Sequence, residues 1–361
     1  MKYLPDRIGL YIHIPFCEKK CRYCNFYSAF ISERVYKDYF KALLREISSW
    51  GEQTKSAVDT VYLGGGTPSL LRDDIIPLMS AVKESFNVLP EAEITAECNP
   101  NLDLNFLSLA RKAGVNRLSF GVQSGNDGML KTLGRTHTAS DAKAAIKAAR
   151  EAGFDNISCD LMIALPHSSS VTVTEDVNFI CGLSPEHISA YILKIEENTA
   201  FYKAKDTLDL PDDDEAANQY LIVCRELEKR GYEHYEISNF ALKGRQSRHN
   251  LKYWMCEEYL GIGPSAHSFL NGKRFYYKND IKAFINGEPA VFDSLGGDKA
   301  ERIMLGLRLS GGVRLSEFKE DITDKADKFI KAGLVKISDG RLSLTNEGML
   351  VSNSIIAEFI L

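Results

Sequence analysis

The chain has 361 residues, 44% of them hydrophobic and 26% charged, with a formal net charge of −5 at neutral pH. The length allows a sizeable core and more than one domain, while the acidic balance gives no support for a large nucleic-acid footprint. Residues 1–7 lack the apolar core of a signal peptide and no uninterrupted apolar run reaches bilayer length, so a cytoplasmic protein is expected.

An alternating apolar run over 8–14 predicts a first strand. It leads into His13-Ile14-Pro15-Phe16-Cys17-Glu18-Lys19-Lys20-Cys21-Arg22-Tyr23-Cys24, where Cys17, Cys21 and Cys24 are spaced C-x3-C-x2-C with no fourth cysteine close by. Three thiolates on one tight loop can hold three irons of a cubane [4Fe–4S] cluster and leave one iron open to a chelating small molecule. Clusters that only carry electrons are usually closed by four protein ligands. The residues alone also admit zinc, which prefers four Cys/His ligands and for which His13 is the nearest fourth candidate, or cysteines that only fill space. Cys98, Cys159, Cys181, Cys224 and Cys256 are isolated and read as small core residues of a reduced interior.

Helical periodicity covers 32–50, and a strand at 60–63 is followed by Gly64-Gly65-Gly66-Thr67-Pro68-Ser69. Glycines here let a ligand approach free backbone groups, although a tight turn between strand and helix is the plainer reading of such a stretch alone. A helix over 73–86, a strand over 93–97, a helix over 104–112 stopped by Gly114 and a strand over 117–122 come next. Ser140-Asp141 caps a helix with Ala142, Ala145, Ile146 and Ala149 on one face, ended by Gly153. A strand over 157–163, a helix over 174–181 and a strand over 187–193 complete six strand–helix units. That order implies a parallel sheet with right-handed crossovers, and the notable residues follow the strands, where barrel-like folds carry their sites.

Past residue 194 the pattern changes. An acidic, Pro-containing linker spans 206–214, a helix 214–229 ends at Gly231, and a strand is expected at 233–237. Arg248-His249-Asn250-Leu251-Lys252-Tyr253-Trp254 precedes Tyr259-Leu260-Gly261-Ile262-Gly263-Pro264-Ser265-Ala266-His267. From 299 a separate small module is expected: a helix over 300–309, a turn at Gly311-Gly312, more helix to 332, a hairpin of 334–337 and 341–344 around Asp339-Gly340, and a last helix 346–359 capped by Thr345. Its order of elements is winged-helix-like.

Tyr11-x-His13-x-Pro15-Phe16-Cys17-x3-Cys21-x2-Cys24, together with Gly64-Gly65-Gly66-Thr67-Pro68, resembles the radical S-adenosylmethionine (SAM) superfamily. More narrowly it resembles the branch of oxygen-independent coproporphyrinogen III oxidases and HemW heme chaperones. Glu97-Cys98-Asn99-Pro100, the run 117–124, Leu133-Gly134-Arg135-Thr136-His137 and the run 160–166 extend the likeness through most of the chain. The resemblance implies an α/β fold: a partial (β/α)6 radical SAM barrel over 1–210, a linker helix and heme-associated region over 211–298, and a C-terminal α+β module over 299–361. It implies that Cys17, Cys21 and Cys24 ligate a [4Fe–4S] cluster. It places SAM against Tyr11, Tyr23, Gly65, Gly66, Thr67, Glu97, Gln123, Arg135 and Asp160. A carboxylate suits Arg135, and an ammonium or ribose hydroxyls suit Glu97 and Asp160.

The implied chemistry is reductive cleavage of SAM: an electron from the cluster enters the sulfonium, the S–C5′ bond breaks, and the 5′-deoxyadenosyl radical can abstract hydrogen from a substrate. Two departures argue against the oxidases. Phe26 stands where they carry a cysteine two positions after the third ligand, and Cys17 lies close to the first residue where they have a long preceding segment. His249-Asn250-x-x-Tyr253-Trp254 matches the H-N-x-x-Y-W signature of the heme chaperones. Histidine can ligate heme iron, and Tyr or Trp can pack on a porphyrin. Read without that context, the same run is an aromatic turn with His249 as a core histidine. The expectation is a heme chaperone with cluster, SAM and heme, a reductant for the cluster, and a respiratory acceptor hemoprotein at the membrane. Coproporphyrinogen oxidation and radical breakdown of heme are the alternatives.

Overall fold

The computed structural model describes residues 7–30, 32–317 and 321–360. The leading residues read above for a signal peptide therefore lie, from 1 to 6, outside the described residues, as do 318–320 within the helix expected up to 332.

Six strands run parallel and in sequence order: β1 (Arg7–Ile14), β2 (Ala57–Gly65), β3 (Val88–Cys98), β4 (Arg117–Gln123), β5 (Ile157–Ile163) and β6 (His187–Ile192). Helices α1 (Glu33–Gln53), α2 (Ile75–Ser85), α3 (Asn105–Ala113), α4 (Asp127–Leu133), α5 (Ala139–Glu151) and α6 (Ser170–Gly182) join them. The six predicted units are thus present. The sheet continues at both ends. Antiparallel β7 (Glu233–Glu236) and β8 (Asn239–Ala241) extend it beyond β6, after α7 (Asp213–Lys229). Beyond β1 lie the parallel β9 (Tyr259–Ile262) and the antiparallel β10 (His267–Leu270), β11 (Lys273–Tyr276) and β12 (Val291–Leu295). The order of this twelve-stranded sheet is β12-β11-β10-β9-β1-β2-β3-β4-β5-β6-β8-β7, an open, partial barrel.

Parallel strands covered on both faces usually read as continuous apolar runs. Here they alternate. Leu118, Phe120 and Val122 are buried in the main core, as are Cys159, Leu161 and Ile163 and, on β1, Ile8, Leu10, Ile12 and Ile14. The intervening residues Arg117, Ser119, Gly121 and Gln123, then Asp160 and Met162, then His187, Ser189 and Tyr191, face an internal cavity. One side of the curved sheet packs on helices; the other encloses a polar lumen.

Some boundaries differ from expectation for local reasons. Pro68 opens a 3-10 turn, Pro68–Asp74, in which Arg72 takes φ 51°, so the helix expected from 73 starts at Ile75. The cap of α5 is Thr138: its hydroxyl accepts the Asp141 N–H at 3.2 Å while the Asp141 carboxylate accepts the Thr138 N–H at 2.7 Å. Unanticipated α4 is bounded by the Asn126 side chain, which accepts the Met129 N–H, and by Gly134 at φ 78°. The run 248–254 folds as the helix α8 (Arg248–Trp254), capped by Ser247. In the C-terminal module, α9 (Lys299–Gly306) precedes a three-stranded sheet of β13 (Val313–Arg314), β14 (Val335–Ser338) and β15 (Arg341–Leu344). The predicted hairpin is β14–β15. Helix α10 (Asp321–Lys331) precedes it, and the last helix is interrupted at Val351 into α11 (Asn346–Leu350) and α12 (Ser352–Ile360).

Candidate functional site

The cysteine loop leaves the C-terminal end of β1 and folds over the mouth of the lumen. It is tied down by the Arg22 N–H donating to Leu133 O (3.0 Å) at the end of α4, and by the Phe201 N–H donating to Arg22 O (2.9 Å). Cys17, Cys21 and Cys24 are free thiols, each partly exposed, on the wall of one cavity of about 390 Å³. Among the described residues no three His, Cys, Asp or Glu groups converge closely enough to hold one metal ion; thiols sharing a cavity wall suit a larger cluster. His13 is not free to act as a fourth ligand. Its Nδ1 pairs with the Tyr11 hydroxyl at 2.9 Å and its Nε2 with Tyr27 O at 3.0 Å, beneath a surface only 4% exposed.

The opposite wall is the glycine loop after β2. Gly65 has φ 110°, and a Cβ there would lie 2.6 Å from the His13 ring; a Cβ on Gly66 would lie 2.5 Å from Phe16 O. Both positions therefore require glycine. Thr67 donates from Oγ1 to Cys17 Sγ at 3.6 Å and accepts from Asn99 Nδ2 at 3.2 Å. Arg135 reaches in from the end of α4. Its Nη1 donates to Cys21 Sγ at 3.3 Å and its Nη2 to Asn99 Oδ1 (2.6 Å) and Gly121 O (2.7 Å), while its Nε is buried without a partner among the described residues. A guanidinium beside thiols puts a positive charge at this wall, suited to an anionic group.

Below the loop, Glu97 accepts the Tyr62 hydroxyl at 2.8 Å and the Gly65 N–H at 3.1 Å. Burial pushes its carboxyl up to about 7; Asp160 adds to the rise, and the two hydrogen bonds and Arg117 oppose it. Burial also pushes Asp160 up to about 6, with Ser189, Arg117 and Arg135 pulling it down. The Tyr23 hydroxyl is pushed above its ordinary range by burial. Gln123 takes φ 73°, a strained backbone for a non-glycine residue at a cavity wall.

Of the residues expected to meet SAM, Tyr23, Gly65, Gly66, Thr67, Glu97, Gln123, Arg135 and Asp160 do converge on this cavity. Tyr11 does not line it: it stands one layer behind, its hydroxyl spent on His13. Arg117, Ser119, His187 and Ser189 line the cavity and were not singled out from the sequence. Phe26 sits on the rim, 67% exposed.

The heme-signature residues lie at the other end of the barrel. Only Asn250 reaches the cavity. His249 is fully buried, with Nδ1 paired to Thr60 Oγ1 at 2.8 Å and Nε2 to Tyr253 Oη at 2.8 Å. Burial, then Lys252 and Arg117, push its imidazole down to about 3, so it is neutral at working pH. Tyr253 packs edge-on against Tyr259 (4.5 Å between centroids), and the Trp254 ring carries the Arg308 guanidinium at 4.6 Å. In this structure His249 is a satisfied core histidine, not an open axial ligand; Tyr253 and Trp254 pack against protein.

Comparison with known proteins decides the family. The chain is 36% identical to a heme chaperone HemW of Bacillus subtilis (strain 168), over 97% of this chain and 98% of that one. It is 33% identical to a heme chaperone HemW of Mycobacterium tuberculosis (strain ATCC 25618 / H37Rv), over 96% and 93%. The chain belongs to the HemW family. The radical SAM superfamily profile matches residues 11–180 and the HemN C-terminal domain profile residues 300–351, which puts the cysteine loop, glycine loop and strand-end residues of this HemW-family chain within the first. The coproporphyrinogen III oxidase HemN from Escherichia coli, a radical SAM enzyme, superposes with a TM-score of 0.85 at 22% identity, over 99% of this chain and 91% of that one. That likeness establishes the fold. No helix among the described residues of this HemW-family chain is long and apolar enough to cross a membrane.

Proposed function

We propose that the protein is a heme chaperone that carries a [4Fe–4S] cluster and SAM, binds heme, and delivers it to an acceptor hemoprotein at the membrane, with a separate reductant serving the cluster. The observation that carries the cofactor half is the shared cavity: three free thiols on one wall face the Gly65–Gly66 backbone, Arg135, Glu97 and Asp160 on the others. Cys17, Cys21 and Cys24 would hold three irons of the cluster. Arg135 suits the carboxylate of SAM and Glu97 and Asp160 its cationic and ribose groups. When bound, cluster and SAM together supply reductive cleavage of a sulfonium. The chain's own residues orient the ligand: Gly65 and Gly66 admit it to the backbone, and Thr67 and Asn99 hold that loop against the cysteines.

The heme half rests on the His249-Asn250-x-x-Tyr253-Trp254 signature and on the relatives named heme chaperones. The neutral imidazole of His249 is the form that ligates iron; ligation requires it to exchange its bond to Thr60 or to Tyr253. The test uses anaerobically reconstituted protein. Added heme should give a Soret shift that His249→Ala weakens without loss of iron–sulfur absorption, heme should pass to a membrane acceptor, and coproporphyrinogen should be left unchanged. Catalytic conversion of coproporphyrinogen to protoporphyrinogen would replace this reading by the oxidase.

A further inference from the structure

Helix α8 reaches the cavity proposed for SAM through Asn250. Its His249 packs against β1, β2 and β3: the His249 N–H donates to Glu93 Oε1 at 3.2 Å, and its Nδ1 pairs with Thr60 Oγ1. Gly9 on β1 leaves no slack, because a Cβ there would lie 3.0 Å from each of His249 Cε1, Lys252 Cδ and Thr60 Oγ1. The next residue, Asn250, faces the cavity itself.

Two routes climb from the His249 ring to Gly65. The ring lies 5.3 Å from that of Tyr62, whose hydroxyl donates to Glu97 Oε1, and Glu97 Oε2 accepts the Gly65 N–H. It also lies 6.5 Å from the ring of Tyr11, which holds His13, and the His13 imidazole packs directly beneath Gly65. Close-packed interiors transmit displacement rather than absorb it. The glycine loop therefore rests, through two tyrosines, on the histidine of the heme signature.

We propose that His249 is a positioning residue for SAM, and that heme ligation by His249 and SAM binding at the glycine loop oppose each other. The second half rests on the heme reading above; the first does not. Nδ1 is committed to Thr60 on β2 and Nε2 to Tyr253 within α8, so ligation must release at least one, and release from Thr60 loosens the support under Tyr62 and Tyr11. Linkage is reciprocal: whatever factor heme takes from SAM affinity, SAM takes from heme affinity. SAM arrival then favours the closed histidine and, with it, heme release.

The experiment uses the full chain, cluster-reconstituted and heme-free, and reads SAM affinity from the response of the reduced cluster's EPR spectrum. Thr60→Val removes the Nδ1 partner with little change of shape and leaves the signature intact; Gly9→Ala wedges the helix from the sheet. Each, like His249→Ala, should weaken SAM binding within the range of about 5- to 150-fold typical of coupled sites, at unchanged iron content and far-UV circular dichroism. Thr60→Val combined with Tyr62→Phe should weaken it by less than the product of the two single effects, because both act on one route; independent structural damage would multiply. If a variant loses iron, Thr60→Val decides, being the mildest. In the parent, saturating SAM should weaken heme binding by the same factor by which heme weakens SAM. Unchanged SAM affinity in Thr60→Val and His249→Ala overturns the positioning role, even where His249→Ala abolishes the Soret shift and so upholds the heme reading. Equal heme affinity with and without SAM overturns the antagonism. A parent that binds no heme at all overturns the antagonism and the heme reading together, and the SAM measurements still decide the positioning role.

Discussion

Replacing Glu97 by Gln separates the charge of the cavity wall from its shape. The carboxylate accepts from the Tyr62 hydroxyl and the Gly65 N–H. A Gln side chain keeps both contacts: its carbonyl accepts from Gly65, its NH2 donates to the Tyr62 oxygen, and that hydroxyl rotates to suit. Burial raises the Glu97 carboxyl from 4.5 to about 7, which corresponds to about 3 kcal/mol against its charged form. Between those values the folded protein holds more of this proton than the unfolded chain does. Glu97 therefore works increasingly against folding as pH rises from about 4.5 to about 7, and by the full amount above that. Gln carries no such penalty. In urea unfolding of the ligand-free protein, the stability gained by Glu97→Gln should widen from about 1 kcal/mol at pH 5 to about 3 kcal/mol at pH 8. SAM should bind the same variant more weakly, since the charge facing its cationic groups is gone. A stability gap that does not change with pH, or a variant less stable than the parent at pH 8, would refute the claim that the site holds a carboxyl at a cost to the fold.

Other outcomes follow from single contacts. Anaerobically prepared protein should be brown with about four irons per chain, and changing Cys17, Cys21 and Cys24 together to Ser should remove the iron; a dependence on Cys98 or Cys256 instead would contradict the assignment. Gly65→Val puts a side chain onto the His13 ring at φ 110°, so iron content should persist while the spectral response of the reduced cluster to SAM disappears. Thr138→Ala breaks the reciprocal cap of α5 and should cost about 1 kcal/mol in urea unfolding, with no effect on iron, SAM or heme.

The parallel half of the sheet was legible because each strand and helix carries its own period, and the cysteine and glycine loops because spacing alone encodes them. The lumen was legible too, in the period of its strands. Arg117-Leu118-Ser119-Phe120-Gly121-Val122-Gln123 alternates with period two, as do 158–163 and 187–192, and in a sheet backed by helices on one side such alternation marks a polar cavity on the other. Reading it would have added Arg117, Ser119, His187 and Ser189 to the site. The strands over 267–295 offered little: Phe292 and Leu295 are 59% and 76% exposed, so burial imposes no pattern on that edge. The setting of the heme signature was not legible in any local pattern. His249 is fixed by Thr60, 189 residues away, and by Glu93, 156 residues away, and a seven-residue helix does not announce which side it turns to a sheet.

The electrostatics of the lumen join its two ends. Arg117 is 2% exposed, lines the cavity, and has an Nε with no partner among the described residues. It pulls down both Glu97 and Asp160, alongside the hydrogen bonds of Tyr62, Gly65, Ser189 and Ser119. Burial thus lifts both carboxyls toward neutral pH, against the pull of their hydrogen bonds and of Arg117. A ligand bearing a positive charge completes their ionisation; without one, protonation is the cheaper answer to burial. The same guanidinium helps keep His249 neutral, since Arg117 and Lys252 both disfavour its protonation. One buried arginine therefore acts in two directions along the barrel: it favours charged carboxylates under the glycine loop and an uncharged imidazole at His249.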